Sequence, residues 1–502
     1  MRAPLVGGRQ LCDNPEMPRA PNLVLVMLDQ LRVDCLGAYG SAICKSPLLD
    51  AIAAQGMRFD RAYTPTGICS PARASLFTGK YAHRHGILNN VHGPDAIATE
   101  LRAGETTFPA LLRDAGYRTA YVGKWHVGRQ RGPQAAGFTD VGATDQYLER
   151  DLANYRRKLG LDPDGPLFGV DVNTEYPPLS ARADRPYLPF FPVMGRDPYP
   201  LEATPQGYFL DSALKLLENI SKDGQPFFCV LSFIGPHWPH SLPEPYWSMY
   251  DPAAIPSWAN FEEDFQDKPQ AQQSSLRHYG VDHWSWKQWA PAVAAYFGSV
   301  TMHDEMVGRF VSALDGMGLG DDTMLVITAD HGDSTGSHRL FNKGPWMYEE
   351  VYRLPLMARW PGVVAPGSHR SEYVSSMDLM STMLDAAGVP APDGAGSDSL
   401  SLLPLLRGEA APEWRQAFVA EFHGDEFGLY SQRMLHAGRY KFVFNPHSID
   451  ELYDLQADPH ELVNLAPDSH YEALKDDFES RLQEWMRRTE DPLWYLSYNY
   501  LA

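Results

Sequence analysis

The stretch NLVLVMLDQ, residues 22–30, runs through apolar side chains from Leu23 to Leu28 and stops abruptly at Asp29 and Gln30. An unbroken apolar run of this length reads as a strand buried on both faces, the habit of a parallel sheet, with a site at its carboxyl tip. The next segment fits a crossover: SPLLDAIAAQG (46–56) offers Ser46 as cap, Pro47 in the first turn and Gly56 as stop. The unit recurs. Helix TFPALLRDAG (107–116) precedes strand YRTAYVGKWH (117–126), and helix LDSALKLLENI (210–220) precedes strand PFFCVLSFIGPH (226–237). The long amphipathic stretch 291–319 precedes strand DTMLVITADHG (322–332). Strands alternating with helices predict an α/β fold with a sheet covered on both faces.

Four of these strands end in polar or ionisable groups: Asp29, then Lys124 and His126, then His237, then Asp330 and His331. Open α/β sheets bind ligands beyond the carboxyl ends of their strands, so the coincidence predicts one shared site. Residues 129–208, rich in Pro, Tyr, Asp and Arg, and the Trp-rich 240–290 read as long loops shaping a pocket mouth. After about residue 410 the pattern changes. QAFVAEF, SQRMLHAGRYKFVFN and ELYDL suggest short antiparallel strands, and 471–490 an amphipathic helix. The expected organisation is an arm at 1–21, a catalytic domain at 22–410 and a smaller α+β domain at 411–502. The tail 490–502, with its aromatics, packs on that domain or on a second subunit, which favours a homo-oligomer.

The chain has 502 residues, 44% hydrophobic and 21% charged, and a formal net charge of -20. That balance describes an ordinary globular protein and argues against nucleic-acid or anionic-membrane partners. An anionic substrate must therefore be drawn in by a local cationic pocket. Five cysteines without a CxxC pair predict reduced thiols. No apolar run approaches the ~18 residues of a membrane span, and residues 1–22 show no signal peptide, so a cytoplasmic location is expected.

Asp29 and Gln30 at one tip and Asp330 and His331 at another supply oxygen and nitrogen donors suited to a hard divalent ion, calcium or manganese. Singly, each reads as a cap or a satisfied loop residue. Arg73, Lys124, His126, His237 and Lys343 form a second set able to hold a tetrahedral anion and to move a proton to a leaving oxygen. The residues alone do not identify a nucleophile.

Cys69 in GICSPARASLFTGKY (67–81) supplies it through a resemblance. Cys69-Ser70-Pro71-Ala72-Arg73, with LVLVMLDQLRVDCLGAYG, GYRTAYVGKWHVG, SFIGPHWPH, TADHGDSTGSHRLFNKGPWMYEE and ELYDLQADPHELVNLA in order, resembles the formylglycine-dependent sulfatase family of the alkaline phosphatase superfamily. The likeness extends to arylsulfatase, choline-sulfatase-like and phosphonate monoester hydrolase members. It implies a mostly parallel mixed sheet and a smaller C-terminal antiparallel sheet. It implies a sulfuric ester hydrolase in which a separate formylglycine-generating enzyme oxidises Cys69. The hydrated aldehyde then attacks sulfur with the help of a divalent metal ion.

Residue by residue, Asp29, Gln30, Cys69, Asp330 and His331 match the metal ligands. Arg73 and Lys124 match groups steadying the nucleophile, and His126 the base that releases sulfate. His237 and Lys343 match contacts to sulfate and leaving oxygen, with His237 the expected general acid. Asn90 matches a substrate contact. His338 and Glu349, in the same motif, are expected to be structural. The family's commoner Asp-Asp and Asp-Asn tips are here Asp29-Gln30 and Asp330-His331, a pattern shared with choline-sulfatase-like members and with the phosphonate monoester hydrolases. Those replace the Lys-x-His pair with hydroxyl residues, so sulfate esters lead and phosphonate or phosphodiester cleavage is the alternative.

Overall fold

The computed structural model describes residues 20–165, 194–392, 397–425 and 428–495. Its centre is an eight-stranded sheet made of β1 (Asn22–Asp29), β2 (Met57–Phe59), β3 (Arg118–Gly123), β4 (Asp140–Thr144), β5 (Phe227–Pro236), β6 (Thr323–Ala329), β7 (Leu356–Arg359) and β8 (Ser368–Arg370). The spatial order is β8-β2-β7-β6-β1-β5-β3-β4. β1 lies at the middle, parallel to both β5 and β6, and every one of its side chains is buried. Truncating a core leucine such as Leu25 to alanine would cost about 2–5 kcal/mol. β7 runs antiparallel to β6 and β2, which makes the sheet mixed.

Two helical layers cover it. Helices α1 (Pro47–Gln55) and α4 (Pro205–Ile220) each pack on α5 (Trp286–Gly316) on one side. Helices α2 (Cys69–Thr78), α3 (Phe108–Asp114) and α6 (Asp378–Ala386) do so on the other. A second, antiparallel sheet comes after them, of β9 (Ala417–Phe422), β10 (Gln432–Ala437), β11 (Tyr440–Phe444) and β12 (Glu451–Asp454) in that order. Helix α7 (Glu472–Thr489) buries Phe478, Leu482, Trp485 and Met486 against Leu435, Phe442 and Leu452 of that sheet. The anticipated fold class, mixed sheet and small C-terminal sheet alike, is present.

Three local expectations change. The 129–208 region contains strand β4 and a helix at Leu148–Lys158, and α4 starts at Pro205, where Thr204 caps it by accepting from the Gly207 N–H. The 240–290 region contains a helix at Gln270–Tyr279. Helix α5 begins at Trp286 rather than at Pro291, because Ser285 and Gln288 form a capping box and the proline is tolerated inside. Residues 166–193 of the first loop, residues 1–19 of the arm and residues 496–502 of the tail lie outside the described residues. Of the tail, Leu493 and Trp494 pack against the α7 cluster.

Candidate active site

Register carries four strand tips to one edge. Leu28 pairs with Phe233 and with Ala329, so Asp29 and Asp330 emerge side by side. The Asp29 carbonyl accepts the His237 N–H at 3.1 Å. On the other flank, the Lys124 N–H donates to the Ser232 carbonyl at 2.8 Å. Gly123 has φ +105°, and a Cβ there would sit 1.7 Å from that carbonyl oxygen, so only glycine brings β3 this close. Gln30 (φ 66°) and His126 (φ 54°) are held in the left-handed region at the site itself.

Helix α2 places Cys69 in its first turn. Ser70 N–H donates to Asn90 Oδ1 at 3.2 Å, and Pro71 contributes no N–H to a helix start already short of partners. All ten residues of α2 are buried. The donor atoms of Asp29, Cys69, Asp330 and His331 lie within 4.8 Å of one another. Cys69 Sγ stands 3.1 Å from His331 Nε2 and 3.9 Å from Asp29 Oδ1. His331 Nδ1 donates to the Gly332 carbonyl at 2.8 Å, which leaves the Nε2 lone pair turned into the cluster, the arrangement a metal-binding imidazole adopts. Two carboxylates and that nitrogen, converging on position 69, fit a hard divalent cation that accepts an imidazole. Gln30 Oε1 lies at the rim, accepting from Lys343 Nζ at 3.1 Å.

Arg73, fully buried, commits its guanidinium to this core: Nη2 to Asp29 Oδ2 at 2.9 Å, Nε to Asp330 Oδ2 at 2.7 Å, Nη1 to the Lys124 carbonyl and Ser232 Oγ. It clamps the two carboxylates. Lys124 Nζ makes a second ion pair to Asp29 Oδ2. Burial works against the Asp29 carboxylate, yet Lys124, His237, Arg73 and His331 overcome it and hold its pKa well below the usual range. Burial likewise opposes the Cys69 thiolate, as does Asp29, but Lys124, Lys343 and His331 prevail and the thiol pKa falls.

Two histidines are held neutral. Burial first, then Lys124 and Arg73, depress His126 far below its ordinary pKa. Burial, then Lys343, do the same to His237. His126 Nδ1 lies 3.3 Å from Ser70 Oγ, and its ring stacks on His92 at 4.9 Å. His237 Nδ1 donates to the Trp238 carbonyl, so its Nε2 accepts from Lys343 Nζ at 3.3 Å. A cavity of about 350 Å³ opens beside Lys124 and His126, walled further by His92, Arg129 and Asp145.

All the catalytic and ligand residues expected from sequence thus converge on one edge, and Asn90 joins them through Ser70 and through Asp425 Oδ1 at 3.1 Å. His338 stacks on Tyr348 at 3.7 Å and meets Glu263, while Glu349 accepts from Tyr63 and Lys441; both sit in structural networks. Ser232, Asp333 and Asn342 were not anticipated. The last two lie in the quoted TADHGDSTGSHRLFNKG stretch, where a carboxylate three places after Asp330 is the available signal.

A buried carboxylate–imidazole cluster at the carboxyl edge of a mixed sheet, ringed by arginine and lysine, defines a hydrolase of the alkaline phosphatase superfamily, and the molecule superposes accordingly. It matches phosphonate monoester hydrolase of Agrobacterium radiobacter with a TM-score of 0.79 and 25% identity, over 93% of this chain and 96% of that one. A family model described as Sulfatase matches residues 21–389, and one described as N-sulphoglucosamine sulphohydrolase, C-terminal, matches 336–488. An arylsulfatase of Clostridium perfringens is 30% identical over 90% of this chain and 91% of its own length. A choline-sulfatase of Rhizobium meliloti is 28% identical over 89% and 82%. The chain belongs to the sulfatase family, whose reaction is the hydrolysis of sulfuric esters. Among the described residues no helix is long and apolar enough to cross a membrane.

Proposed function

We propose that the chain hydrolyses a small sulfate monoester, aryl or of similar size, to an alcohol or phenol and inorganic sulfate. The observation that carries this reading is the Asp29, Cys69, Asp330 and His331 cluster with Lys124 ion-paired to its Asp29 and His126 set against Ser70, the neighbour of Cys69. A divalent cation, calcium or manganese, held by Asp29, Gln30, Asp330, His331 and position 69 would supply positive charge to the ester. A hydrated formylglycine, made from Cys69 by a formylglycine-generating enzyme, would supply the attacking oxygen.

The chain's own residues do the rest. Arg73 pairs with both aspartates and holds them aligned. Lys124 and Lys343 present ammonium groups to the sulfate oxygens. His126, neutral through burial and set against Ser70, is placed to accept a proton next to position 69. On the opposite side the Lys343–His237 pair protonates the leaving oxygen. The hydrogen bond runs from Lys343 to His237 Nε2, so the proton is stored on Lys343 rather than on His237 alone. Asn90, tied to Ser70 and Asp425, contacts the substrate from the α2 side.

Purified protein, with the aldehyde confirmed by mass spectrometry and its metal content measured, should turn over an aryl sulfate. No turnover in such a sample sinks the reading. Phosphonate monoester or phosphodiester cleavage is the second reading, favoured by the likeness to the Agrobacterium enzyme. It gains if a phenylphosphonate ester is preferred to the matching sulfate. We further assign residues 22–410 to catalysis and 411–502 to a smaller domain. A homo-oligomer results if the tail docks on a neighbour, which light scattering with and without residues 493–502 decides. The described free cysteines, all buried, suit a reducing cytoplasmic compartment.

A further inference from the structure

Gln30 is the one expected ligand that is a carboxamide, and a carboxamide has two faces of opposite use. Its oxygen can meet a cation; its NH2 repels one. The partners of the NH2 therefore decide whether this residue helps or harms the cluster.

Those partners are specific. Gln30 Nε2 donates to Asp333 Oδ2 and, at 2.9 Å, to Asn342 Oδ1. Both amide hydrogens are thus taken, and Oε1 is left to accept from Lys343 Nζ at 3.1 Å. Each acceptor is itself fixed. Asp333 Oδ1 receives the Thr335 N–H at 2.6 Å and the Thr335 hydroxyl at 2.5 Å. Asn342 Nδ2 donates to Tyr279 Oη at 3.2 Å, so its Oδ1 faces Gln30. The Gln30 backbone is pinned as well: its N–H donates to Asp330 Oδ1 at 3.1 Å and its carbonyl accepts from Tyr296 Oη at 2.7 Å. Gln30, Asp333 and Asn342 are all buried, so water does not substitute for a lost partner.

We infer that Asp333 and Asn342 are positioning residues that lock the Gln30 carboxamide with its oxygen toward the Asp29–Cys69–Asp330–His331 cluster, and thereby set the affinity of that cluster for a divalent cation. Removing either acceptor frees the carboxamide to rotate its NH2 toward the cation. Losses of about 10–100-fold in metal affinity are typical when such outer partners are removed.

The inference rests on reading the cluster as a cation site, and one titration separates the two. The full chain, stripped of metal, is titrated with Mn2+ alone, with binding followed by electron paramagnetic resonance and folding by circular dichroism. Asp333→Ala and Asn342→Ala should each bind Mn2+ about 10–100-fold more weakly, whereas Asn342→Asp, which keeps an acceptor oxygen for Gln30 and can accept from the Tyr279 hydroxyl, should bind at least as tightly as wild type. If Asp333→Ala does not fold, Asn342→Ala and Asn342→Asp carry the test. Wild-type affinity in folded Asn342→Ala, or an Asn342→Asp loss as deep as that of Asn342→Ala, overturns the inference. A wild-type chain that takes up neither Mn2+ nor Ca2+ overturns the cation reading beneath it.

Discussion

Arg73 Nε donates to Asp330 Oδ2 at 2.7 Å, and neither side chain is exposed to solvent. With its second contact to Asp29, one cation holds two carboxylates that come from strands far apart in the chain. Replacing Arg73 with alanine leaves two buried carboxylates short of a counter-charge, a loss of about 3–5 kcal/mol for breaking a buried pair. Arg73→Lys keeps the charge but loses the planar fork that reaches both acids. The melting temperature should therefore fall for both variants, and further for alanine. A metal-free Arg73→Ala protein melting with the wild type would refute the clamp.

Cys69→Ala removes the thiol of the cluster while keeping a small buried residue in a well-formed helix turn. The melting temperature should stay close to wild type and aryl sulfate turnover should vanish. Cys69→Ser tests the same position with an unmodified hydroxyl, its mass confirming that no aldehyde has formed. Wild-type multiple turnover by that unmodified serine variant would show that modification of position 69 is dispensable.

His303 gives the cleanest pH dependence. It is wholly buried on α5, its Nδ1 donates to the Ser299 carbonyl at 2.7 Å, and burial pushes its pKa down to about 4. The unfolded chain takes up a proton near pH 6.5, before the folded one does, so stability is lost as pH falls from about 6.5 to 4. At about 1.36 kcal/mol per pH unit, wild type should lose about 2 kcal/mol more than His303→Gln between pH 7 and 5. Chemical denaturation at the two pH values reads this directly. Equal losses would place the titration elsewhere.

The sequence made the strand tips legible because doubly buried parallel strands leave an uninterrupted apolar run, and Asp29, Lys124, His237 and Asp330 break such runs at their ends. The edge strand β4 was not legible: four of its five residues are only half buried, so DVGAT carries no apolar run. The start of α5 was hidden because Pro291 imitates a first-turn proline, while the true cap, Ser285, lies in a Trp-rich stretch. Cys69 as nucleophile came from resemblance, since no spacing rule distinguishes it from a buried thiol. The orientation of Gln30 is beyond any local reading, because its partners Asp333 and Asn342 stand more than 300 positions away.

Lys124 and His126 discriminate the two chemistries. Both project from the turn after β3, where Gly123 permits the close approach to Ser232, and both line one cavity with His92 and Arg129. A sulfate monoester offers the site one negative charge, and His126, kept neutral by burial and by Lys124 and Arg73, has a nitrogen free to accept a proton. Lys124→Ala should then lower kcat for an aryl sulfate by about 10²–10³, the cost of one donor to developing charge. It should also release Asp29 from its second ion pair. His126→Ala should slow release more than attack, so a first turnover should appear as a burst followed by a stalled steady state. Hydrolysis of a phenylphosphonate ester, if it uses hydroxyl-type partners instead, should be much less sensitive to either change. Equal losses on both substrates would make Lys124 a support of Asp29 rather than a sulfate contact. Unchanged sulfate turnover in both variants would shift the assignment to phosphoryl chemistry.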